Sequence, residues 1–235
     1  MSDALKIPRR KLADEVFDRL YAKLLNGEYA PGESLPSERE LMELFGVGRP
    51  AIREATQALE RLGLVSIQHG QRPKVIMPTA SGVLSQIELT AMHMLSSSPQ
   101  SLEHLKEARA FFEVGMVARA ARMASDVDIA TLEGLLEQQR AELNRDAQAF
   151  IKTDMAFHAA IAEITGNPIF AAVSRAMLDW LANFHASLLH WKGNEHLTLE
   201  EHERILSAIR VHDEALATNE MRAHLDRARR LYNLT

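Results

Sequence analysis

Apolar residues recur along this chain at two spacings, and the change between them divides it. Over residues 10–27, Leu12, Val16, Leu20 and Leu24, with Phe17 and Tyr21 beside them, follow the 3.6-residue period of an amphipathic helix that ends at Asn26-Gly27. The turn-rich connector YAPGESLPS leads to a short helix, SERELMELF, which Ser37 caps, with Glu40 three residues on forming a capping box and Gly46 as its stop. A third helix is predicted from about Arg49 to Leu62. Gly48 is its N-cap, and Pro50 sits in the first turn, where a missing N–H costs nothing. Ile52, Ala55, Ala58, Leu59 and Leu62 form its expected buried face. Beyond Gly63 the residues turn β-rich in two short runs, Val65–Ile67 and Lys74–Met77, around a polar turn at His69-Gly70-Gln71, which is a hairpin pattern.

Helix, helix, tight turn, helix and hairpin, in that order, are the grammar of a winged helix-turn-helix, whose third helix enters the DNA major groove. MPTASG (Met77–Gly82) reads as a short linker. The rest of the chain carries helical pattern throughout, with helices predicted near 82–96, 101–123, 127–144, 147–165, 168–190, 197–212 and 214–232. The expected fold is mainly α. A winged helix-turn-helix DNA-binding domain spans 1–78, a linker and connecting helix 79–98, and an all-α metal- and effector-binding bundle 99–235.

Composition narrows the function classes. No apolar run reaches membrane-spanning length, and the amphipathic N-terminus lacks the apolar segment of a secretion signal. The chain has no cysteine, which excludes disulfides, thiolate metal sites and a cysteine nucleophile; a cytoplasmic location is the default expectation. The net charge of -5 argues against a nucleic-acid partner until its distribution is considered. Residues 1–78 carry 12 Lys+Arg and 11 Asp+Glu, whereas residues 79–235 carry 15 and 21. A basic surface on the first part must therefore come from placement.

Arg49 and Arg53 supply such placement. Four residues apart, they share one helix face, opposite Ile52, Ala55 and Leu59. Arginine's planar fork donates twice to guanine O6 and N7, which suits the first turns of a helix in the major groove. Arg39 on the preceding helix is placed to reach a phosphate or a base, and His69 and Gly70 form the wing tip. The competing reading is a solvated pair bound to Glu54 or Glu43; the turn before and the hairpin after favour DNA.

A second constellation lies in the helical half. Asp154 and His158, four apart, share a helix face. His202 and His224 lie on the last two predicted helices, which the turn at His212-Asp213 folds antiparallel, so the two can face each other. One carboxylate and three imidazoles suit Zn²⁺, Ni²⁺ or Mn²⁺. In a chain with 10 histidines this spacing alone is weak, since partly buried histidines with backbone partners are common.

The stretch LPSERELMELFGVGRPAIREATQALERLGLVSIQHGQRPKV resembles the DNA-binding domain of the GntR superfamily, a match extending over residues 10–78. The resemblance implies operator contacts by Arg39, Arg49 and Arg53, with His69-Gly70 as the wing tip. Gly48 and Pro50 depart from the Ser or Thr of many relatives. EARAFFEVGMVARAA, DMAFHAAIAEITGNPIF, EEHERILSAI and MRAHLDRA are similar to the effector-binding (FCD) domain of the FadR-type branch, covering most of residues 100–230. That similarity implies a divalent metal, zinc first with nickel or manganese as alternatives, on Asp154, His158, His202 and His224. It further implies an organic acid paired with Arg109, which Glu113 holds in place. Asn167 in GNP is a candidate to line the cavity, although its turn chemistry needs no ligand, and His185 is a candidate to reach it. Trp180 is expected to pack the core.

ERELMELFGVGRPAIREA, FFE, FHAAIAEITGNPIF and LDWL resemble the sialic-acid-responsive repressors of that branch, while ANFHASLLHWKGN departs from them. The expected function is a homodimeric repressor on a pseudo-palindromic DNA operator, controlled by a small carboxylate or sugar acid. Two alternatives stand beside it: a metal sensor in which the metal is the signal, and a metal-dependent hydrolase, which lacks a positioned acid or base.

Overall fold

A computed structural model describes residues 11–189 and 195–232, without the side chains of residues 99, 183–189 and 230–232. The chain divides into two compact units, residues 1–86 and 87–235. In the first, α1 (Leu12–Leu25), α2 (Glu38–Phe45) and α3 (Arg49–Arg61) precede β1 (Val65–Ser66) and β2 (Lys74–Val75). The capping box forms as the sequence implies: Glu40 N–H donates to Ser37 Oγ, and Ser37 N–H donates to the Glu40 carboxylate. Gly46 then closes α2 in the left-handed region (φ 64°), a conformation that costs glycine no Cβ clash.

Leu20, Leu35, Leu41, Ile52 and Leu59 are fully buried and form the core of this unit with Val16, Val65 and Val75. Each such side chain contributes about 1.5–3 kcal/mol relative to exposure. The buried face of α3 differs from expectation at one end. Leu62 is exposed, because the helix stops at Arg61 and Leu62 falls beyond the stripe as C-cap. Thr56 joins the buried face instead, its hydroxyl satisfied by donating to Ile52 O at 2.9 Å. The hairpin is short and antiparallel, pairing Val65 with Val75 and Ser66 with Lys74. The connector before α2 lies along it: Leu35 N–H donates to Pro73 O and Val75 N–H to Glu33 O, both at 2.7 Å. This third lane anchors the wing to the helices.

The second unit is built from α5 (Pro99–Met123), α6 (Asp126–Glu142), α7 (Ala147–Ile164), α8 (Pro168–Leu189), α9 (Glu195–Arg210) and α10 (Glu214–Tyr232). The connecting helix α4 (Ala80–Ser96) spans the division and begins inside the predicted linker. Ser98, Ser125 and Asp146 accept backbone N–H groups at the starts of α5, α6 and α7, which fixes where those helices begin. Helix α5 packs against α7, α8, α9 and α10. The main core joins Val117, Ala120 and Ala121 of α5 to Phe157, Ile161, Ile205, Ile209 and Met221. Trp180 packs against a smaller cluster of Leu105, Met177 and Leu181, as expected. His212 adopts φ 55° and turns α9 into α10, its Nδ1 lying 2.7 Å from Ala121 O. Among the described residues, no helix is long and apolar enough to cross a membrane.

Candidate functional site

The first unit presents Arg49 and Arg53 from the first two turns of α3, both exposed. They are paired, though not with Glu54 or Glu43. Glu38, at the start of α2, takes Arg53 Nε at 2.7 Å and lies 3.5 Å from Arg49 Nε. Arg39 approaches Glu43 at 4.0 Å, and Glu54 instead approaches Lys11. Sequence spacing hid the true partner because the two helices meet through the turn, not through an i,i+4 step. His69 and Gly70 are exposed at the tip between β1 and β2, and Gly70 has φ 73°. Arg72, which no sequence motif singled out, stands near them and pairs with Glu40 at 3.5 Å.

In the second unit, helices α7, α9 and α10 bring His158, His202 and His224 together, with one nitrogen of each ring within 4.8 Å of the others. All three are buried. His202 and His224 are held by hydrogen bonds at Nδ1. His202 Nδ1 donates to Gln139 Oε1 at 3.0 Å, and the Gln139 amide in turn donates to Asp154 Oδ1 at 3.3 Å. His224 Nδ1 donates to Glu201 Oε2 at 2.8 Å, and Arg227 grips the same carboxylate. His158 Nδ1 lies against Glu113 Oε2, in a direction outside good hydrogen-bond geometry. Phe157 stacks on the His202 ring with centroids 4.4 Å apart, which fixes its plane.

Fixing Nδ1 leaves Nε2 as the lone-pair nitrogen of His202 and His224 in their neutral form. His158 Nε2 and His202 Nε2 are buried without a hydrogen-bond partner, a state that costs on the order of 1–3 kcal/mol per group. Burial, followed by the charges of His224 and His158, pushes His202 well below the ordinary histidine range; burial also lowers His224, although Glu201 opposes it. Both are thus held neutral, the form that ligates metals. A ligand histidine whose other nitrogen is tied to a carboxylate or amide is the arrangement metal sites need. The residues fit a divalent cation. Asp154, expected as a fourth ligand, stands outside the tight group, its Oδ1 3.5 Å from His202 Nε2.

Arg109 is buried, and its Nε pairs with Glu113 Oε1, so the sequence expectation that Glu113 holds this arginine matches the geometry. Burial acts to raise the Glu113 carboxyl, but Arg109 and His158 outweigh it and hold the group far below the carboxylate range. Glu201 behaves alike: burial raises it, while His224 and Arg227 bring it below its ordinary value. A cavity of about 30 Å³ touches Lys106, Arg109, Leu181 and Leu225, room for a water rather than a sugar acid. Asn167 Oδ1 accepts Ile169 N–H at 3.0 Å at the start of α8, a capping role. The His185 side chain lies outside the described residues.

The model of the gntR family of bacterial regulatory proteins matches residues 12–75, and that of the FCD domain matches residues 104–227. The HTH-type transcriptional repressor NanR of Enterobacter sp. (strain 638) is 40% identical over 222 residues, covering 94% of this chain and 85% of the relative. NanR of Escherichia coli (strain K12) is also 40% identical, over 94% of this chain and 84% of its own. Among solved structures, Streptococcus agalactiae GntR is similar with a TM-score of 0.71 at 23% identity, covering 93% of this chain and 99% of that one. E. coli McbR/YncC is similar at 0.53 and 20%, covering 96% and 99%. These two bear on the fold alone. With a family model matched in each half and relatives 40% identical over 94% of its length, the chain belongs to the gntR family with an FCD domain and is a ligand-responsive, DNA-binding transcriptional repressor, not an enzyme.

Proposed function

We propose that this repressor acts as a cytoplasmic homodimer on a pseudo-palindromic operator and is released by an organic acid bound at a metal in its second domain. In this reading residues 1–78 bind DNA, 79–98 connect, and 99–235 carry the metal and the effector. Arg39, Arg49 and Arg53 contact the operator, with His69 and Gly70 at the wing. His158, His202 and His224 hold a divalent cation, zinc first and nickel or manganese as alternatives, and Asp154 joins them from its position beside His202. The observation that carries the reading is the pair of buried, unpartnered Nε2 atoms on His158 and His202. A bound cation would supply open positions for a carboxylate, and Arg109 would give the acid its second anchor. The resemblance of ERELMELFGVGRPAIREA, FFE, FHAAIAEITGNPIF and LDWL to sialic-acid-responsive repressors makes sialic acid the first acid to test, ahead of other sugar acids and smaller carboxylates.

A second reading has an observation of its own. Arg109 is tied to Glu113, and the cavity it touches holds no more than a water, so an acid requires the site to open. If it does not open, the metal itself is the signal. The deciding measurement is melting temperature across sialic, sugar and small organic acids, with metal-loaded and chelator-stripped protein. A ligand at ~100 times its Kd stabilises the fold by ~2.7 kcal/mol. An acid that shifts only the metal-loaded protein supports the first reading. A shift from metal alone, with none from any acid, supports the second; no shift from metal overturns the site.

A further inference from the structure

We propose that Glu38 is a specificity-determining positioning residue: its carboxylate holds Arg49 and Arg53 by their Nε edges and turns both guanidinium forks outward as one DNA-reading unit. The inference rests on the shown DNA-binding function and not on the metal or effector. Two guanidiniums four residues apart on a helix repel one another, and long arginine side chains sample many rotamers. Glu38 answers both problems. It stands at the first position of α2, facing the start of α3, with its two oxygens divided between the arginines: Oε1 to Arg53 Nε at 2.7 Å, Oε2 to Arg49 Nε at 3.5 Å.

The choice of nitrogen matters. A guanidinium that is gripped at Nε keeps its two Nη groups free, and these form the end-on fork that fits guanine O6 and N7. Arg39 differs, since its contact with Glu43 is through Nη1, at 4.0 Å. Stability does not explain Glu38. Its side chain is 37% exposed and those of the arginines about 60%, and exposed ion pairs add little to folding. A negative charge on a phosphate-facing surface also weakens DNA binding without regard to sequence. A carboxylate kept there is explained by what it does to its neighbours, which is to fix their geometry before DNA arrives.

The test uses the full-length protein, a duplex that the wild type selects from a random library, and a scrambled duplex of the same composition. Glu38→Gln keeps the shape and removes the charge. Its affinity for the scrambled duplex should hold or rise, while the ratio of selected to scrambled affinity falls about tenfold, the loss expected when good bidentate contacts loosen. In the Arg49→Ala/Arg53→Ala background the same change should alter the ratio no further. In the free protein, NMR should find the Nε–H proton of Arg53 protected, and E38Q should weaken that protection. An unchanged ratio for E38Q overturns the proposal. So does a loss that persists without the two arginines, because Glu38 would then be reading a base itself, as an acceptor from cytosine N4.

Discussion

Gln139 sets the chemistry of the histidine group although it contributes no ligand atom. Fully buried on α6, it accepts from His202 Nδ1 and donates to Asp154, so one amide fixes the tautomer of an imidazole and the direction of a carboxylate. Replacing such an outer partner typically lowers metal affinity about 10–100-fold. Gln139→Leu preserves volume, leaves His202 free to present either nitrogen, and should lower affinity by that amount with the fold intact. Competition against a chromogenic chelator measures it. Wild-type affinity in the variant would mean that packing by Phe157 alone orients the ring. Glu201 is the matching case on the other side, where Arg227 and His224 share its oxygens. Neither residue was legible as a site residue in the sequence. Glu201 adjoins His202 yet serves His224 on the next helix, and Gln139 is 63 positions from the histidine it holds. Its one legible signal was a polar residue continuing the apolar stripe of Leu132 and Leu136, both buried.

At the scale of elements, the recognition helix is only as well placed as its hidden face. Leu59 is fully buried at the centre of the first unit's core, against α1 and the hairpin. Leu59→Ala should cost ~2–5 kcal/mol, the range for a leucine removed from a packed core. Chemical denaturation should detect that loss, operator binding should fall through partial unfolding, and metal affinity should be untouched, since no histidine of the site lies in that unit. A cost below about 1 kcal/mol would mean the site collapses around the missing side chain. The helices themselves were legible because apolar periodicity and caps are local: the stripe Ile52, Ala55, Leu59, the Ser37–Glu40 box and the Gly46 stop were all readable in a few residues. Leu62 and Glu38 mark the limit. Where a helix ends by one residue, and which acid on a neighbouring helix captures two arginines, depend on the angle between helices, and no local spacing encodes it.

For the whole molecule, repression and release are one thermodynamic cycle. If an acid in the second domain weakens operator binding by some factor, linkage requires the operator to weaken acid binding by the same factor, for a coupling of ~1–3 kcal/mol, or roughly 5–150-fold. The buried chain from Arg109 through Glu113 to His158 gives such a coupling a physical route at the effector end, because an acid that draws on Arg109 changes what Glu113 and the histidine share. The expected result is therefore symmetric. Titrating the selected duplex with and without acid, and the acid with and without duplex, on metal-loaded protein should return equal ratios. An acid that merely chelates the metal away would also weaken operator binding. That case is recognised by recovery on adding excess metal and by acid affinity that does not respond to DNA. Equal ratios above one that vanish in Arg109→Ala, with metal still bound, would locate the coupling at the arginine; ratios of one in both titrations would remove the acid from the cycle and leave the metal as the signal.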